Sequence, residues 1–188
     1  DVGFLAMHGV NGEDGTLQGL LELANVPYTS AGVLGSAVGM DKILMNQALI
    51  GAGLPAVEAE WFVRDQWEMN PDAVVETLEA KLQYPMFVKP ANLGSSIGIT
   101  CAEERDSLYA AIGVAYRYDA RIIVENALVG AIEINCSAMG YGDDVQVSAC
   151  EQPVTWEEFL SFEDKYLRNA KTPQESGGMK GMSRILPA

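Results

Sequence analysis

Positive charge is scarce in this sequence, since 12 Lys and Arg residues stand against 26 Asp and Glu residues, for a formal net charge of −14. A surface of that sign repels phosphate backbones, so we expect no nucleic-acid partner. Long hydrophobic runs are also absent: the uncharged residues 25–40 are too polar and too rich in glycine to span a bilayer. We therefore expect no membrane partner.

Cysteine and histidine are equally rare, and their positions exclude several kinds of site. The three cysteines, Cys101, Cys136 and Cys150, are odd in number and lack a C-x-x-C spacing, so neither a disulfide framework nor a zinc site is predicted. We expect them to be three buried or semi-buried thiols in a reducing compartment. A G-x-S-x-G pattern surrounds Ser96, but a hydrolase of that type needs a later histidine, and His8 is the only one.

The spacing of the apolar residues, which make up 48% of the chain, predicts a mixed α/β protein. Helices are predicted at residues 13–25, 36–51 (with Ser36 as N-cap), 71–82 and 103–118. Strands are predicted at residues 1–9, 85–90, 97–99, 121–125, 132–138 and 145–149. We expect an antiparallel sheet in the second half and a mobile loop at residues 163–183.

One glycine-rich turn has the composition of an anion site. Lys89 ends a predicted strand, and Gly94, Ser95, Ser96 and Gly98 follow it closely. Glycines let backbone N–H groups converge on an anion, hydroxyls add donors, and a lysine supplies a point charge. Neither a Walker loop nor a dinucleotide fingerprint occurs, so on these residues alone an ordinary hairpin turn remains the alternative.

Several motifs that are weak singly occur together in one order along nearly the whole chain. They are His8-Gly9-x-x-Gly12-Glu13-Asp14-Gly15-x-x-Gln18-Gly19, Ser36-x-x-x-Met40-Asp41-Lys42, Val88-Lys89-Pro90-x-x-x-Gly94-Ser95-Ser96-Ile97-Gly98, Glu125 with Glu133, and Phe162-x-x-Lys165-Tyr166. This series resembles the D-alanine–D-alanine ligases.

The resemblance implies a partial ATP-grasp fold that carries the tail of an N-terminal α/β domain. The implied divisions are residues 1–36 for that tail, 37–124 for the central subdomain and 125–188 for an incomplete C-terminal subdomain with a lid loop. In such enzymes ATP phosphorylates the carboxylate of one D-alanine, and the amine of a second attacks the acyl phosphate. The product serves peptidoglycan precursor synthesis in the bacterial cytoplasm, and the full-length enzymes are homodimers.

The resemblance also implies roles for individual residues. The nucleotide positions are Lys42 and Lys89 for the phosphates, Ser96 in the phosphate-covering loop, Glu125 and Leu128 at the adenine hinge, and Glu133 for the ribose. The first-substrate positions are His8, Glu13 and Ser95. The catalytic set is His8, Ser95 and Ser96 with the lid residues Lys165 and Tyr166, which would exclude water from the acyl phosphate.

Departures from the family pattern leave the acceptor substrate open. Ile132 and Asn135 stand where relatives usually carry Arg and Glu, and Ser161-Phe162 replaces the usual Asp-Tyr. A Phe at that position also occurs in D-alanine–D-serine ligases of the vancomycin-resistance type. A ligase of that type is therefore one alternative, and a non-catalytic ATP-grasp fragment is another. The lid pair Lys165-Tyr166 argues against relatives that use D-lactate.

The metal ligands implied by the resemblance fall outside this sequence. The family uses two Mg²⁺ ions, with Mn²⁺ as a substitute, and its metal carboxylates follow the lid, beyond Ala188. The chain opens without an initiator Met or a signal peptide, and we expect residues to be missing at both ends. We therefore expect the 188-residue chain alone to bind nucleotide weakly and not to turn over.

Overall fold

The computed structural model describes residues 2–154 and 183–187 of the chain. Its helices and antiparallel strands confirm the predicted mixed α/β class. The chain divides into two compact units, Asp1–Ala127 and Leu128–Ala188. The predicted domain divisions at residues 36/37 and 124/125 stay predictions. Within the described ranges, no helix is long and apolar enough to cross a bilayer.

The first unit begins with helices α1 (Thr16–Leu23), α2 (Val33–Met40) and α3 (Lys42–Gly51). The prediction that one helix starts at Ser36 is wrong, because Ser36 lies inside α2, which follows Gly32. The helical path then breaks at Asp41, whose backbone is extended and whose carboxylate caps α3. A short polar side chain that bonds to the next amides starts a new helix even within an apolar pattern. The predicted opening strand is also wrong, since within residues 2–9 only Gly3 pairs, in an isolated bridge to Tyr28.

A four-stranded antiparallel sheet forms the centre of the first unit. Its strands are β1 (Ala59–Val63), β2 (Met86–Pro90), β3 (Thr100–Ala102) and β4 (Arg121–Asn126), in the order β1-β4-β2-β3. The predictions for β2 and β4 are confirmed. The predicted partner of β2 at residues 97–99 is wrong by three positions, because β3 begins at Thr100 and residues 97–99 belong to the preceding loop.

Helices α4 (Arg64–Met69), α5 (Pro71–Lys81) and α6 (Arg105–Ala115) complete this unit. Asn70 caps α5 through its side chain, and Pro71 occupies the first turn, as predicted. The sheet face that α5 and α6 cover is the main core. Its fully buried members include Val75, Leu108, Ile112, Met86, Val88, Ile122 and Val124.

The other face of the sheet is the one that positions the candidate site. Side chains alternate along a strand, so Lys89 in β2 and Glu125 in β4 point away from the main core. A smaller apolar cluster of Ile43, Ala91 and Ile123 packs α3 against this second face. We call it the α3 face of the sheet.

The second unit contains two short antiparallel pairs. Strands β5 (Ala138–Tyr141) and β6 (Asp144–Val147) form a hairpin, and β7 (Gln152–Val154) pairs with β8 (Ser183–Ile185). The strand predicted at residues 132–138 is wrong, because β5 begins only at its last residue, Ala138, and an isolated bridge between Asn135 and Glu151 is the only pairing before it within the described residues. Residues 155–182, and with them nearly all of the predicted mobile loop, lie outside the described residues.

Candidate functional site

Two oppositely charged side chains meet on the α3 face of the sheet. Phe87 lies opposite Glu125 and Lys89 lies opposite Ile123, which makes Lys89 and Glu125 diagonal neighbours. The Lys89 ammonium donates a hydrogen bond to the Glu125 carboxylate. These side chains are only 20% and 16% exposed, so the pair is largely withdrawn from water.

A second lysine reaches the same region from the start of α3. The backbone N–H of Lys42 donates to the carbonyl of Ala91 at 2.9 Å, which joins the first turn of α3 to the end of β2. The Lys42 ammonium donates to the carbonyl of Leu93. Burial lowers the pKa of Lys42, and the nearby positive charge of Lys89 lowers it further. An anion placed between these ammonium groups would favour the charged form of Lys42 and so oppose both effects.

Two buried or partly buried aspartates hold the elements that carry these lysines. Asp41, which is 5% exposed, accepts hydrogen bonds from the amides of residues 43–44 at 3.1 Å and pairs with Arg121 at 2.5 Å. Asp119 accepts from the amide of Asn92 at 2.8 Å and from the amide of Arg121 at 3.0 Å. Sequence reasoning missed this network. The one signal in the sequence was Asp41 itself, because an Asp often caps the helix that follows it, here α3.

The loop of residues 92–99 links β2 to β3 beside Lys42. Its backbone turns through left-handed conformations at Ser95 (φ 55°), Ser96 (φ 59°) and Gly98 (φ 73°). A Cβ on Gly98 would lie 2.5 Å from the Tyr118 ring and 2.9 Å from Pro90, so a larger residue fits there only if these neighbours shift. The loop is therefore tightly curled and closes directly against the start of the segment that leads to β4.

His8 and Glu13 come together in the segment before α1. Glu13 accepts a hydrogen bond from the amide of Gly9 at 2.5 Å, and its other oxygen lies 3.9 Å from His8 Nδ1. The His8 side chain is 85% exposed. Among the described residues, no hydrogen bond or ion pair joins His8 or Glu13 to Lys42 or Lys89.

Buried Gln18 stabilises this same segment from α1. Its Nε2 group donates to the carbonyl of Gly12 at 3.0 Å. Asp14 accepts from the amides of Asn11 and Thr16, and the Asn11 hydrogen bond lowers the pKa of the Asp14 carboxyl most. The acids after His8 therefore order a turn that enters α1.

The remaining predicted positions fall in the second unit or outside the described residues. Leu128 is exposed, and its carbonyl accepts from the amide of Ala131 at 3.3 Å. Glu133 is exposed as well. Lys165 and Tyr166 lie outside the described residues. Within residues 2–154 and 183–187, no group of three His, Cys, Asp or Glu side chains could hold a metal ion.

Comparison with known proteins gives consistent results for both units. The model of the D-ala D-ala ligase C-terminus matches residues 49–177, and that of the N-terminus matches residues 1–31. A D-alanine–D-alanine ligase of Bacillus velezensis is 44% identical over 166 residues, covering 88% of this chain and 46% of the relative. One from Enterococcus gallinarum is 45% identical over 180 residues, covering 92% of this chain and 56% of the relative. The chain thus spans about half the length of the curated relatives it matches.

Solved structures agree with the sequence relatives. The VanG D-Ala:D-Ser ligase of Enterococcus faecalis has a TM-score of 0.77 and 33% identity, with 98% of this chain and 48% of that chain covered. The D-alanyl-alanine synthetase A of Vibrio cholerae has a TM-score of 0.79 and 25% identity, with 100% and 53% covered. These likenesses confirm the ATP-grasp fold, and the match of the C-terminal model to more than half of the residues means that the chain belongs to the D-alanine–D-alanine ligase family.

Proposed function

We propose that the protein acts in an ATP-dependent ligation that joins two D-alanines through an acyl phosphate, for peptidoglycan precursor synthesis. The observation that carries this proposal is the pair Lys42 and Lys89. In a chain of this family, both ammonium groups lie on the α3 face of the sheet beside the curled loop of residues 92–99.

The lysine pair fits the triphosphate of ATP. Lys42 is held in a partly buried position where both burial and Lys89 disfavour its charge. Phosphate oxygens would restore that charge and accept hydrogen bonds from both ammonium groups. Without a nucleotide, the Lys42 ammonium donates to the carbonyl of Leu93, and the Lys89 ammonium donates to the carboxylate of Glu125. A bound triphosphate would share or replace these internal acceptors.

The other nucleotide positions extend the proposal to the rest of ATP. We assign Ser96 to the loop that covers the phosphates, Glu125 and Leu128 to the adenine hinge, and Glu133 to the ribose. The tight turn at Gly98 supports the assignment of Ser96, because a strained loop closed by glycine keeps backbone amides at fixed positions.

The amino-acid side of the reaction is assigned to His8, Glu13 and Ser95. A carboxylate oxygen of the first D-alanine attacks the γ-phosphorus, the bond to the β-phosphate oxygen breaks, and an acyl phosphate and ADP result. The amine of the second D-alanine then attacks the acyl carbon, phosphate leaves, and the amine loses a proton. We propose that Lys165 and Tyr166 close over the acyl phosphate and exclude water.

The divalent ion that such a reaction needs finds no ligand set among the described residues. Mg²⁺ takes carboxylate oxygens and would neutralise phosphate charge when bound. No group of three potential ligands occurs in the described ranges. We therefore assign no metal ligand to this part of the chain. The use of two Mg²⁺ ions, or of Mn²⁺, rests on the family alone.

A D-alanine–D-serine ligase is the second candidate. The solved VanG D-Ala:D-Ser ligase is 33% identical to this chain and has a TM-score of 0.77. Phe162, before the lid pair, is the residue that the sequence shares with ligases of that type. We further propose that the active form is a homodimer in the bacterial cytoplasm.

Phosphate release tests this function. The protein expressed from the encoding gene is assayed with ATP, Mg²⁺ and either D-alanine, D-serine or L-alanine, and its intact mass is determined in parallel. Release should require D-alanine, and Lys89→Met should abolish it. The control Lys81→Met removes an exposed lysine that pairs with Glu60 at 2.9 Å, so release should be unchanged.

The outcomes of this assay separate the alternatives. Release that depends on D-serine together with D-alanine favours the second candidate. Nucleotide binding without any release from a product longer than 20.2 kDa means a non-catalytic ATP-grasp module and refutes the proposal. We expect no turnover from a chain of 20.2 kDa alone, and robust D-alanine-dependent release from it would contradict that expectation.

A further inference from the structure

Two cysteines face each other across paired segments of the second unit. Asn135 and Glu151 exchange both backbone hydrogen bonds, at 2.8 and 2.9 Å, and so form a hydrogen-bonded antiparallel pair. The next residues toward the β5–β6 hairpin are Cys136 and Cys150, which therefore occupy the narrow pair without hydrogen bonds. In such a pair the Cα atoms lie about 4.5 Å apart. Disulfides need a Cα separation of about 4.4–6.8 Å.

Further hydrogen bonds lie on the far side of the cysteines, where the register shifts by one residue, from Asn135 opposite Glu151 to Ala138 opposite Val147. The amide of Ser148 donates to the carbonyl of Ser137 at 2.9 Å, and the amide of Ser137 donates to the Ser148 hydroxyl at 2.9 Å. The cysteine pair is thus enclosed by hydrogen bonds at both ends. These hydrogen bonds hold the two segments together without help from a covalent bond.

The sulfur atoms themselves are neighbours. The pKa of Cys150 is raised, first by a hydrogen-bonding contact with the Cys136 thiol and then by the charge of that sulfur. Cys136 Sγ also donates to the carbonyl of Ser148 at 3.4 Å. Cys136 is exposed and Cys150 is partly exposed, and both are reduced, so the expectation of buried or semi-buried thiols is wrong for Cys136. Reagents in solution therefore have access to the pair.

We propose that Cys136 and Cys150 form an oxidative modification site that reacts with a low-molecular-weight disulfide and closes to an intramolecular disulfide. The Cys136 thiolate attacks one sulfur of the small disulfide, whose S–S bond breaks and releases one small thiolate. Cys150 then loses its proton to solvent and attacks Cys136 Sγ, releasing the second small thiolate. Two protein thiols are oxidised and one small disulfide is reduced to two thiols.

This pairing distinguishes the two residues from the third cysteine. Cys101 lies in β3 of the first unit, and burial raises the pKa of its thiol. It lacks an opposed thiol, because its partner in the ladder is Phe87. Cys101 therefore serves as an internal control that can form a mixed disulfide and go no further within one molecule.

The test uses the whole reduced chain and oxidised glutathione as the probe. After incubation and alkylation of the remaining thiols, the intact mass and a non-reducing peptide map are measured. Apart from the alkyl group on Cys101, the expected product is lighter than the reduced chain by two hydrogens, about 2 Da. In the peptide map, the peptides of Cys136 and Cys150 are joined. Cys150→Ser should stop at a glutathione adduct on Cys136, whereas Cys101→Ser should leave the cross-link unchanged.

A denatured control shows whether the fold prearranges the pair. At fixed glutathione, the ratio of disulfide to dithiol should fall at least about tenfold in urea, because unfolding removes the preorganisation. An equal ratio in urea, or wild-type protein that carries only glutathione adducts, would overturn the proposal. The reaction needs neither nucleotide nor amino acid, so its outcome is independent of the proposed ligase activity.

Discussion

Replacing Gly98 by alanine should lower the free energy of unfolding by about 2–3 kcal/mol, because this glycine closes the loop of residues 92–99. Its φ of 73° is left-handed, which costs a residue with a Cβ about 1–2 kcal/mol. The added Cβ would also lie 2.5 Å from Tyr118 Cδ2 and 2.9 Å from Pro90 Cγ. Overpacking of that kind costs about 1–3 kcal/mol. The Tyr118 side chain is half exposed and can swing outward, so the lower end applies.

The two contributions can be separated with a second substitution. In a Tyr118→Ala background the ring contact is gone, so Gly98→Ala should cost only about 1–2 kcal/mol, most of it from the backbone conformation. Gly94→Ala is the matched control, since a Cβ added there would have no described atom within 4 Å and the φ of Gly94 is not left-handed. That variant should stay within about 0.5 kcal/mol of wild type.

Urea unfolding followed by tryptophan fluorescence measures these differences, because Trp61 and Trp67 both lie in the first unit with the loop. Nucleotide affinity is measured on the same variants under native conditions. Gly98→Ala should weaken it. A Gly98→Ala protein as stable as the Gly94→Ala protein would refute the reasoning about loop closure.

Three further changes test other parts of the account. The pKa of Lys42 is lowered from the ordinary lysine value of 10.5, and nucleotide affinity should fall as the pH rises through it, because loss of the proton removes the charge that binds phosphate. Calorimetry at several pH values should show this fall in wild type and not in Lys42→Met. Asp41→Asn keeps a capping oxygen but leaves Arg121 without its anion, so urea unfolding should show a loss of about 1–2 kcal/mol, and Asp41→Ala should lose about 1 kcal/mol more. Tyr116→Phe removes a buried hydroxyl that has no hydrogen-bond partner among the described residues, so urea unfolding should show no change or a gain of up to about 1 kcal/mol. Tyr84→Phe loses a hydrogen bond to Glu79 and should lower the free energy of unfolding by a similar amount.

Local chemistry made part of the fold predictable. Asn70 and Pro71 start α5 by interactions within one turn, and the short apolar run before Pro90 forms β2 as expected. Strand β1 was missed because its pairing is remote: Phe62 lies opposite Ile122, sixty positions along the chain. Its middle residue, Trp61, is apolar although its side chain is 47% exposed, so polar and apolar residues do not alternate along β1 as they do in a typical half-buried strand.

The residues of the candidate site also differ in how far the local sequence predicts them. Lys89 and the serine loop have the local composition of an anion site, whereas Lys42 was assigned to it only through the family resemblance. The contact between Lys89 and Glu125 depends on the register of β2 against β4, which spacing along the chain does not determine. The ion pair of Asp41 with Arg121 likewise joins elements that are distant in sequence, so only the folded structure reveals it.

Equilibrium binding of ATP to the chain tests the central claim, that Lys42 and Lys89 form a triphosphate site. Titration calorimetry compares wild type, the double variant Lys42→Met with Lys89→Met, and the control Lys81→Met. Wild type and the control should bind ATP equally, and the double variant should bind at least about tenfold more weakly, since two charge-assisted hydrogen bonds are lost. Equal affinity in the double variant would contradict the account.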